Sequence, residues 1–354
     1  MVTPKPSKAI VKPQDELRSS VRVVAIGGGT GLSTLLRGLR RYVASPIQTS
    51  EDCEDAPCLV SDLAAVVTVT DDGGSSGRLR RGFNMLPPGD LRNCMVALSE
   101  DEHLLSRLFR HRFKSGEGLE GHSFGNLFVA ALSEITGDFA QAIKLSSQVL
   151  ATRGRIYPVT NSNVSLAALM EDGSIVHGET SITASRQHIV ELMLDPAGAE
   201  ALPETLDAIE RADLITIGPG SLFTSLITNL LVKGVPEAIA CSKAVRVFVC
   251  NLMTQANESL NLTASQHIER IYEHARRPLF DYALVNIAPV SQTLLDRYAT
   301  ESAAPIEADI ERIEALGVRC ITGSFAAEGD VLRHATDQVA QEVLRLGLIG
   351  RPRR

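Results

Sequence analysis

The amino-acid sequence predicts an α/β fold in which a mostly parallel sheet is flanked by helices. Short apolar, β-branched runs alternate with helix-patterned segments along most of the chain, an alternation typical of parallel sheets. The first run ends in a glycine-rich turn that opens a helix. Of the 354 residues, 44% are hydrophobic and 22% are charged, so the chain has the composition of an ordinary globular protein.

Continuous apolar runs give the strands in order, because parallel strands are buried on both faces. The expected strands are Val21–Ile26, Leu63–Val69, Leu214–Ile217, Val245–Val249, Tyr282–Val285 and Val318–Ile321. Apolar residues at helical spacing follow the first strand over Ser33–Tyr42. The chain therefore begins its fold with a Rossmann-like unit of strand, glycine turn and helix.

We expect one main domain over residues 21–348, preceded by a flexible tail at 1–20. A second mobile piece is expected at 46–62, an insertion rich in acidic residues that holds Cys53 and Cys58. Glu171-Asp172-Gly173 joins two apolar runs, and Asp-Gly between such runs favours a hairpin. We therefore expect a small antiparallel hairpin excursion over residues 155–182.

Charge and hydropathy exclude several classes of partner. The formal net charge of −7 provides no overall basic field, so nucleic acid is not an expected partner. The apolar runs are too short for a signal-peptide core or a membrane helix. The six cysteines are scattered, as suits a reducing compartment, and we expect a cytoplasmic protein with no membrane insertion.

The glycine turn after the first strand predicts an anion site, because backbone N–H groups and the helix dipole converge there. Its residues are Gly28, Gly29, Thr30 and Gly31. The third glycine of the dinucleotide fingerprint would fall on Leu32, and the chain lacks the P-loop Gly-Lys-Ser/Thr ending. Standard NAD binding and Walker-type ATP hydrolysis are therefore not supported.

Two later loops repeat this strand-to-helix geometry. The first begins with carboxylates suited to ribose hydroxyls or to a hydrated Mg²⁺, and we select from it Asp71, Asp72, Gly73, Ser75, Ser76 and Arg78. The other contributes Gly218, Gly220 and Ser221. Asn93 lies in the first turn of a helix after Pro87-Pro88-Gly89-Asp90, where Asp90 is a candidate N-cap; a structural role for Asn93 and a ligand contact stay open.

The motifs that carry a family resemblance are GGGTGLSTLLRGL from Gly27, VTVTDDGGSSGRLR from Val67, LPPGDLRN from Leu86, and the segments that begin at His122, Gly218 and Cys250. With these motifs the chain resembles the YvcK-type gluconeogenesis factors, CofD-like relatives of the 2-phospho-L-lactate transferases. The resemblance covers residues 21–345. It departs at Thr228, where proline is usual, and at Ala256-Asn257-Glu258, where Pro-Gly-Glu is usual.

The resemblance implies binding of a UDP-sugar, UDP-N-acetylglucosamine, and regulation of cell-envelope metabolism and cell shape during gluconeogenic growth. It implies nucleotide-sugar contacts from Thr30, Asn229, Tyr298 and Arg333. It also implies an unidentified regulatory protein partner, and it leaves a homodimer open. By analogy with the transferases, Asp71 and Asp72 inherit a Mg²⁺ role, although binding itself requires no cofactor.

Two functions of different class remain open. The leading hypothesis is a binding protein whose conformation responds to ligand. The alternative is a Mg²⁺-dependent transferase that moves a phosphoryl-linked group from a nucleotide-activated donor. The sequence assigns no catalytic residue to either, and an oxidoreductase is disfavoured because Leu32 breaks the fingerprint.

Overall fold

The protein is built around a seven-stranded parallel sheet. The structure is a computed structural model that describes residues 20–43, 58–99, 104–185, 187–256 and 258–350. The sheet strands are β1 Val21–Gly27, β2 Val60–Val67, β3 Arg155–Pro158, β7 Leu214–Ile217, β8 Val245–Val249, β9 Tyr282–Asn286 and β10 Arg319–Gly323. Their order across the sheet is β10-β9-β8-β7-β1-β2-β3. The predicted fold class is confirmed.

The helices connect these strands and cover both faces of the sheet. In chain order they are α1 Gly29–Leu39, α2 Gly74–Phe83, α3 Gly89–Leu98, α4 Leu104–Arg110, α5 Phe124–Thr136, α6 Phe139–Val149, α7 Glu179–Ala184, α8 Pro203–Arg211, a π-helix Leu222–Ile227, α9 Thr228–Leu230, α10 Val235–Cys241, α11 Ala264–Ala275, α12 Gln292–Ala299, α13 Ile310–Ala315 and α14 Thr336–Ile349. A short 3₁₀ turn, Arg40–Tyr42, follows α1.

The core lies where the central strands meet these helices. Residues 23–27 of β1 and 63–67 of β2 are all buried, and because side chains alternate between the faces of a strand, both faces must be covered. Helix α1 packs against α3 and α14. The buried residues of the sheet and its helices form one continuous hydrophobic core, in which each fully buried Val, Leu or Ile contributes roughly 1.5–3 kcal/mol.

The small antiparallel excursion is also confirmed, with different bounds. Its strands β4 Ser165–Met170, β5 Ile175–His177 and β6 Ile189–Asp195 have the order β5-β4-β6. The predicted start at Arg155 is wrong, because Arg155–Pro158 pairs in parallel with β2 in the main sheet. The predicted end at 182 misses β6, which follows helix α7 and pairs with β4 from a distance.

Other boundaries also moved. The second strand begins at Val60, three residues before the predicted run, because the polar Ser61 and Asp62 interrupt the apolar pattern without ending the backbone pairing. The insertion expected to extend to residue 62 therefore ends before Val60. The rest of it, 46–57 with Cys53, and the tail at 1–19 lie outside the described residues.

A minor hydrophobic cluster stands apart from the main core at the carboxyl edge of the sheet. It consists of Leu252, Met253, Leu294 and Leu332, with Tyr298 packed against it. A two-stranded ribbon, β11 Ala326–Ala327 and β12 Arg333–His334, lies in the same part of the chain. Among the described residues, no helix has both the length and the apolar character needed to cross a bilayer.

Candidate functional site

The strand order places a crevice beside the end of β1. From β1 the chain builds outward through β2 and β3, and it then returns to the opposite side of β1 to form β7. Open α/β sheets bind ligands at such a reversal, outside the carboxyl ends of the strands. The glycine turn after β1 and the loop after β7 both lie at this position.

The first loop places bare backbone at the start of α1. Gly28 is the N-cap residue, and Gly29 has a left-handed φ of +61°, which glycine adopts without strain. A Cβ on Gly31 would lie 2.7 Å from the Pro219 carbonyl carbon and 3.0 Å from the Gly220 nitrogen. The absence of a side chain at Gly31 therefore lets the two loops touch.

The second loop leads into the π-helix, whose first N–H groups are capped from a distance. The buried carboxylate of Glu258 accepts hydrogen bonds from the backbone N–H of Phe223 at 3.1 Å and from the Thr224 hydroxyl at 2.8 Å. Burial raises the pKa of Glu258. Because both carboxylate oxygens accept hydrogen bonds from the π-helix, Glu258 fixes the shape of the loop.

The two loops open into a cleft of about 570 Å³, within the size range of small-molecule and cofactor sites. The residues that line it are Gly28, Gly29, Thr30, Gly31, Thr183, Pro219, Gly220, Ser221, Ser225, Asn251, Leu252, Met253, Thr254, Gln255, Ala256, Tyr298, Glu301, Ala303, Leu332 and His334.

The loop after β8 ties the second glycine loop in place. Asn251 accepts from the Gly220 N–H at 3.1 Å and donates to the Gly220 carbonyl at 2.7 Å. Gln255 donates to the Ser221 hydroxyl at 3.0 Å. Asn251 therefore holds the backbone of this loop and Gln255 holds its Ser221 side chain. Both amide residues line the cleft.

The outer wall of the cleft comes from the minor hydrophobic cluster. The Tyr298 hydroxyl accepts from the Leu332 N–H at 3.1 Å. His334 donates through Nε2 to the Cys250 carbonyl at 3.0 Å, and burial lowers the pKa of His334 to about 4. The imidazole is therefore neutral at physiological pH, with its proton committed to the backbone.

Four carboxyl groups crowd together beside the first loop. Burial raises the pKa of Asp90 to about 6, and the charge of Asp71 adds to this effect, while a hydrogen bond from the Gly29 N–H opposes it. Burial raises the pKa of Glu179 to about 9, and the charges of Asp90, Asp71 and Asp72 contribute. Glu179 therefore keeps its proton at neutral pH, whereas Asp90 loses its proton just below neutral pH.

The two aspartates proposed as metal ligands already make hydrogen bonds to the chain. Asp71 accepts from the Gly73 N–H at 2.9 Å, and Asp72 accepts from the N–H and the hydroxyl of Thr180. Among the described residues, the structure forms no group of three or more His, Cys, Asp or Glu side chains arranged to hold a metal. Any Mg²⁺ here would take most of its ligands from water or from ligand phosphates.

The structure gathers part of the predicted site in the cleft. Lining it are Gly28, Gly29, Thr30, Gly31, Gly220, Ser221 and Tyr298. The predicted residues outside the lining are Asp71, Asp72, Gly73, Ser75, Ser76, Arg78, Asn93, Gly218, Asn229 and Arg333. Ligand contact by either set stays a prediction.

Several of the outlying residues have a structural role. Asn229 is fully buried and donates from beneath the loops to the carbonyls of Gly27 and Ser225. Ser75 is buried against His122. Asp90, the predicted N-cap, is instead the second residue of α3, and Pro88 is the N-cap.

Arg333 differs from these residues, because it is exposed on the two-stranded ribbon.

Sequence reasoning left other lining residues out of the predicted site. Thr183 and His334 approach the cleft from distant parts of the chain, and no local pattern marks them. Asn251 and Gln255 carried a usable signal, since they follow a buried strand in the same way as the glycine loops do. No local sequence pattern predicts the role of Glu258, because that role depends on a contact with the π-helix 34 residues away.

Comparison with known proteins agrees with this architecture. The chain matches the family described as 2-phospho-L-lactate transferase CofD over residues 23–326. The "Gluconeogenesis factor" of Halalkalibacterium halodurans is 46% identical, with 94% of this chain and 97% of that protein covered. The protein of the same name from Bacillus subtilis is 43% identical, with 92% and 98% covered.

A crystal structure of a Bacillus halodurans protein has a TM-score of 0.85 to this chain at 46% identity, with 92% of this chain and 99% of that one covered. Fold and length therefore agree with these relatives. The chain belongs to the 2-phospho-L-lactate transferase CofD family and groups within it with the gluconeogenesis factors.

Proposed function

We propose that the protein binds UDP-N-acetylglucosamine in this cleft and acts in the cytoplasm as a regulator. It would regulate cell-envelope metabolism and cell shape during gluconeogenic growth. It would do so through a protein partner and, as a homodimer, through a second copy of this chain. The observation that carries the binding proposal is the contact of two bare backbone loops at the reversal of strand order, beside a cleft of about 570 Å³.

The geometry suits a diphosphate linked to polar groups at both ends. The start of α1 offers backbone N–H groups and the positive end of a helix dipole to the phosphates. Asn251, Thr254 and Gln255 offer hydrogen bonds to a base or a sugar. Tyr298 offers a ring face and a hydroxyl on the outer wall.

The chemistry of the lining favours binding over turnover. Among the described lining residues, Glu301 is the one carboxylate and His334 the one imidazole, and the His334 Nε2 proton is committed to the Cys250 carbonyl. A general base needs a free lone pair within reach of the reacting proton and a pKa near the working pH. The pKa of His334, lowered to about 4, does not meet that second requirement.

A Mg²⁺-dependent transferase is the second candidate, and the crowded carboxyl groups favour it. Asp71 and Asp72 would hold the cation, which would supply charge neutralisation for a transferring phosphoryl group. Their hydrogen bonds to Gly73 and Thr180 orient the carboxylates. Asp90 accepts a hydrogen bond from the Gly29 N–H, so the acidic group directly contacts the glycine loop that would bind the phosphates.

Titration calorimetry separates the two candidates. The protein is titrated with UDP-N-acetylglucosamine, UDP-glucose and NAD, each with and without Mg²⁺. Selective binding of UDP-N-acetylglucosamine that needs no metal supports the binding protein. Binding only with Mg²⁺, lost in Asp71→Asn, supports the transferase, and binding of NAD alone contradicts both.

Variants locate the site. Thr30→Ala should weaken nucleotide-sugar affinity without unfolding the protein, because Thr30 is exposed and lines the cleft. Arg333→Ala tests the contact implied by resemblance from a position outside the lining. Gly82→Ala is the control, since a Cβ there meets nothing within 4 Å. If both ligand-site variants keep wild-type affinity, the placement of the site is wrong.

Chromatography of the ligand tests turnover directly. UDP-N-acetylglucosamine incubated with the protein, Mg²⁺ and small phosphorylated acceptors should be recovered intact if the protein only binds it. Loss of ligand that depends on protein and disappears in Asp71→Asn would establish the transferase instead.

A further inference from the structure

Three arginines lie beside one short segment of the chain, residues 120–125, and none of them lines the cleft. Arg78 lies on α2, Arg92 on α3 and Arg112 just after α4. Arg78 donates to the Glu120 carbonyl at 2.8 Å, and Arg112 donates to the Gly121 carbonyl at 2.6 Å. Consecutive carbonyls therefore fix two guanidinium groups, each through a single hydrogen bond within the described part of the chain.

Arg92 is the least expected member of this arginine group. Its side chain packs over Gly125, where a Cβ would lie 2.9 Å from both Arg92 Cγ and Cδ. Its Nε is buried and has no hydrogen-bond partner. Burial, and next the charge of Arg112, lower the pKa of Arg92. A guanidinium N–H that is buried without a hydrogen-bond partner is costly.

None of the three arginines forms an ion pair within the part of the chain that the structure describes. The carboxylates whose charges act on Arg92 are Asp90 and Asp71, and they are engaged elsewhere, with the N–H groups of Gly29 and Gly73. The positive charge of the group is therefore only partly balanced.

His122 adds a neutral donor to the same place. The Ser75 hydroxyl accepts from the Asn126 amide at 3.2 Å and from the Ser123 N–H at 3.4 Å. These two bonds fill both of its acceptor sites, so its own hydrogen points to His122 Nδ1 at 3.0 Å. The imidazole proton then resides on Nε2. Burial and the charges of Arg78 and Arg112 lower the pKa of His122, which keeps the ring neutral and Nε2 a donor at physiological pH.

We propose that Arg78, Arg92, Arg112 and His122 form a binding site for a phosphate monoester dianion, separate from the nucleotide-sugar cleft. Guanidinium forks bind phosphate oxygens in pairs, and a dianion balances the charge of three arginines better than a single carboxylate does. Arg78 and Arg112 are exposed, so a small soluble ligand reaches the site from solvent.

This inference goes beyond the proposed function, because no described residue that lines the cleft belongs to the arginine group. Asp90 connects the two places: it accepts from Gly29 of the phosphate loop and acts electrostatically on Arg92. A dianion beside Arg92 would thus sit one carboxyl group away from the nucleotide-sugar loop, where it can modulate binding.

Calorimetry with inorganic phosphate and with glycerol 3-phosphate tests the site, with sulfate as an ion of similar shape. We expect saturable binding of phosphate or its monoester in the millimolar range or tighter. Tighter binding of glycerol 3-phosphate than of inorganic phosphate identifies an organic phosphate as the occupant, and the reverse order identifies the free ion. No saturable binding of either at millimolar concentrations overturns the proposal.

Arg92→Gln and Arg112→Gln should each weaken phosphate binding at least tenfold. Arg112→Gln guards against misfolding of the first variant, because Arg112 is exposed and its side chain makes a single hydrogen bond to the described residues, to a backbone carbonyl. Arg107→Gln, an exposed arginine on the neighbouring α4, is the matched control. Wild-type phosphate affinity in both arginine-group variants would refute the assignment.

UDP-N-acetylglucosamine titrated into the same variants keeps the two proposals apart. If the nucleotide-sugar proposal fails, none of the proteins binds UDP-N-acetylglucosamine, while the phosphate results stand. If the arginine proposal fails, the phosphate results disappear, while nucleotide-sugar binding stands.

Discussion

The substitution Gly31→Ala tests the contact between the two loops with a single methyl group. Its Cβ would lie 2.7 Å from the Pro219 carbonyl carbon and closer still to the oxygen, whereas ordinary contact begins near 3.4 Å. The Pro219–Gly220 backbone must therefore retreat by about 0.7 Å or more. The atoms that the new methyl group would meet belong to the backbone of the second loop, so no flexible side chain can absorb the displacement.

The energetic expectation combines two opposing effects. Overpacking costs about 1–3 kcal/mol, and alanine in a helix gains about 1 kcal/mol over glycine. The free energy of unfolding should therefore fall by no more than about 2 kcal/mol. The affinity for UDP-N-acetylglucosamine should also fall, because an N–H group displaced by a large fraction of an ångström loses its alignment with a phosphate. We expect at least a tenfold loss of affinity, about 1.4 kcal/mol.

Urea unfolding and calorimetry with UDP-N-acetylglucosamine measure the two quantities separately. Gly38→Ala is the matched control on the same helix: its Cβ would lie 2.5 Å from the Thr336 carbonyl oxygen, far from the cleft. It should destabilise the fold while preserving affinity. The reasoning is refuted if Gly31→Ala binds like the wild type, or if Gly38→Ala loses affinity equally.

Three further predictions follow from buried polar groups. The folded Asp90 carboxyl keeps its proton to about pH 6, whereas the unfolded one loses it near 3.8, so the free energy of unfolding should fall by up to about 3 kcal/mol as pH rises through this range; Asp90→Asn should flatten that pH dependence in urea titrations, and an unchanged slope would contradict the assignment. Glu258→Ala should cost about 2–4 kcal/mol, because it leaves the N–H groups of the π-helix and the Thr224 hydroxyl without their acceptor; thermal unfolding measures this, with Glu258→Gln expected to be milder. His274 accepts the Leu192 N–H at Nε2, and burial lowers the pKa of His274; folding favours the neutral ring, so stability should be lost as pH falls below the ordinary value of 6.5, and hydrogen exchange at the Leu192 amide should accelerate on acidification.

The sequence predicted the central strands well because burial on both faces leaves a strong local pattern. Leu214–Ile217 and Val245–Val249 match the structure residue for residue. Arg155–Pro158 was misplaced because four residues of mixed character fit either sheet, and only its pairing with β2 decides between them. Ile189–Asp195 escaped notice for the same reason, since its partner β4 precedes it by a turn, a strand and a helix.

The sequence predicted the site residues that directly follow a strand. It did not predict those whose role depends on contacts with distant parts of the chain. The loops at Gly28 and Gly220 meet as their positions after parallel strands indicate. Asn229 carries a polar side chain suited to a ligand, yet its amide supports loop backbone from below. The distinction between a residue that contacts ligand and one that holds the loop is a matter of packing direction, which the order of residues does not encode.

The position of β1 governs when this cleft comes into being during synthesis. Among the described residues, β1 is the first strand to be made, and β2 and β7 flank it. Helix α1 is covered by α14, the last of the described helices. Such long-range pairing slows folding, because the chain loses loop-closure entropy before the non-local contacts that stabilise it have formed. A nascent chain that has not reached residue 217 has no second loop, and one that has not reached Tyr298 has no outer wall. Ligand can therefore act only on an almost finished chain, and it cannot guide the early steps of folding.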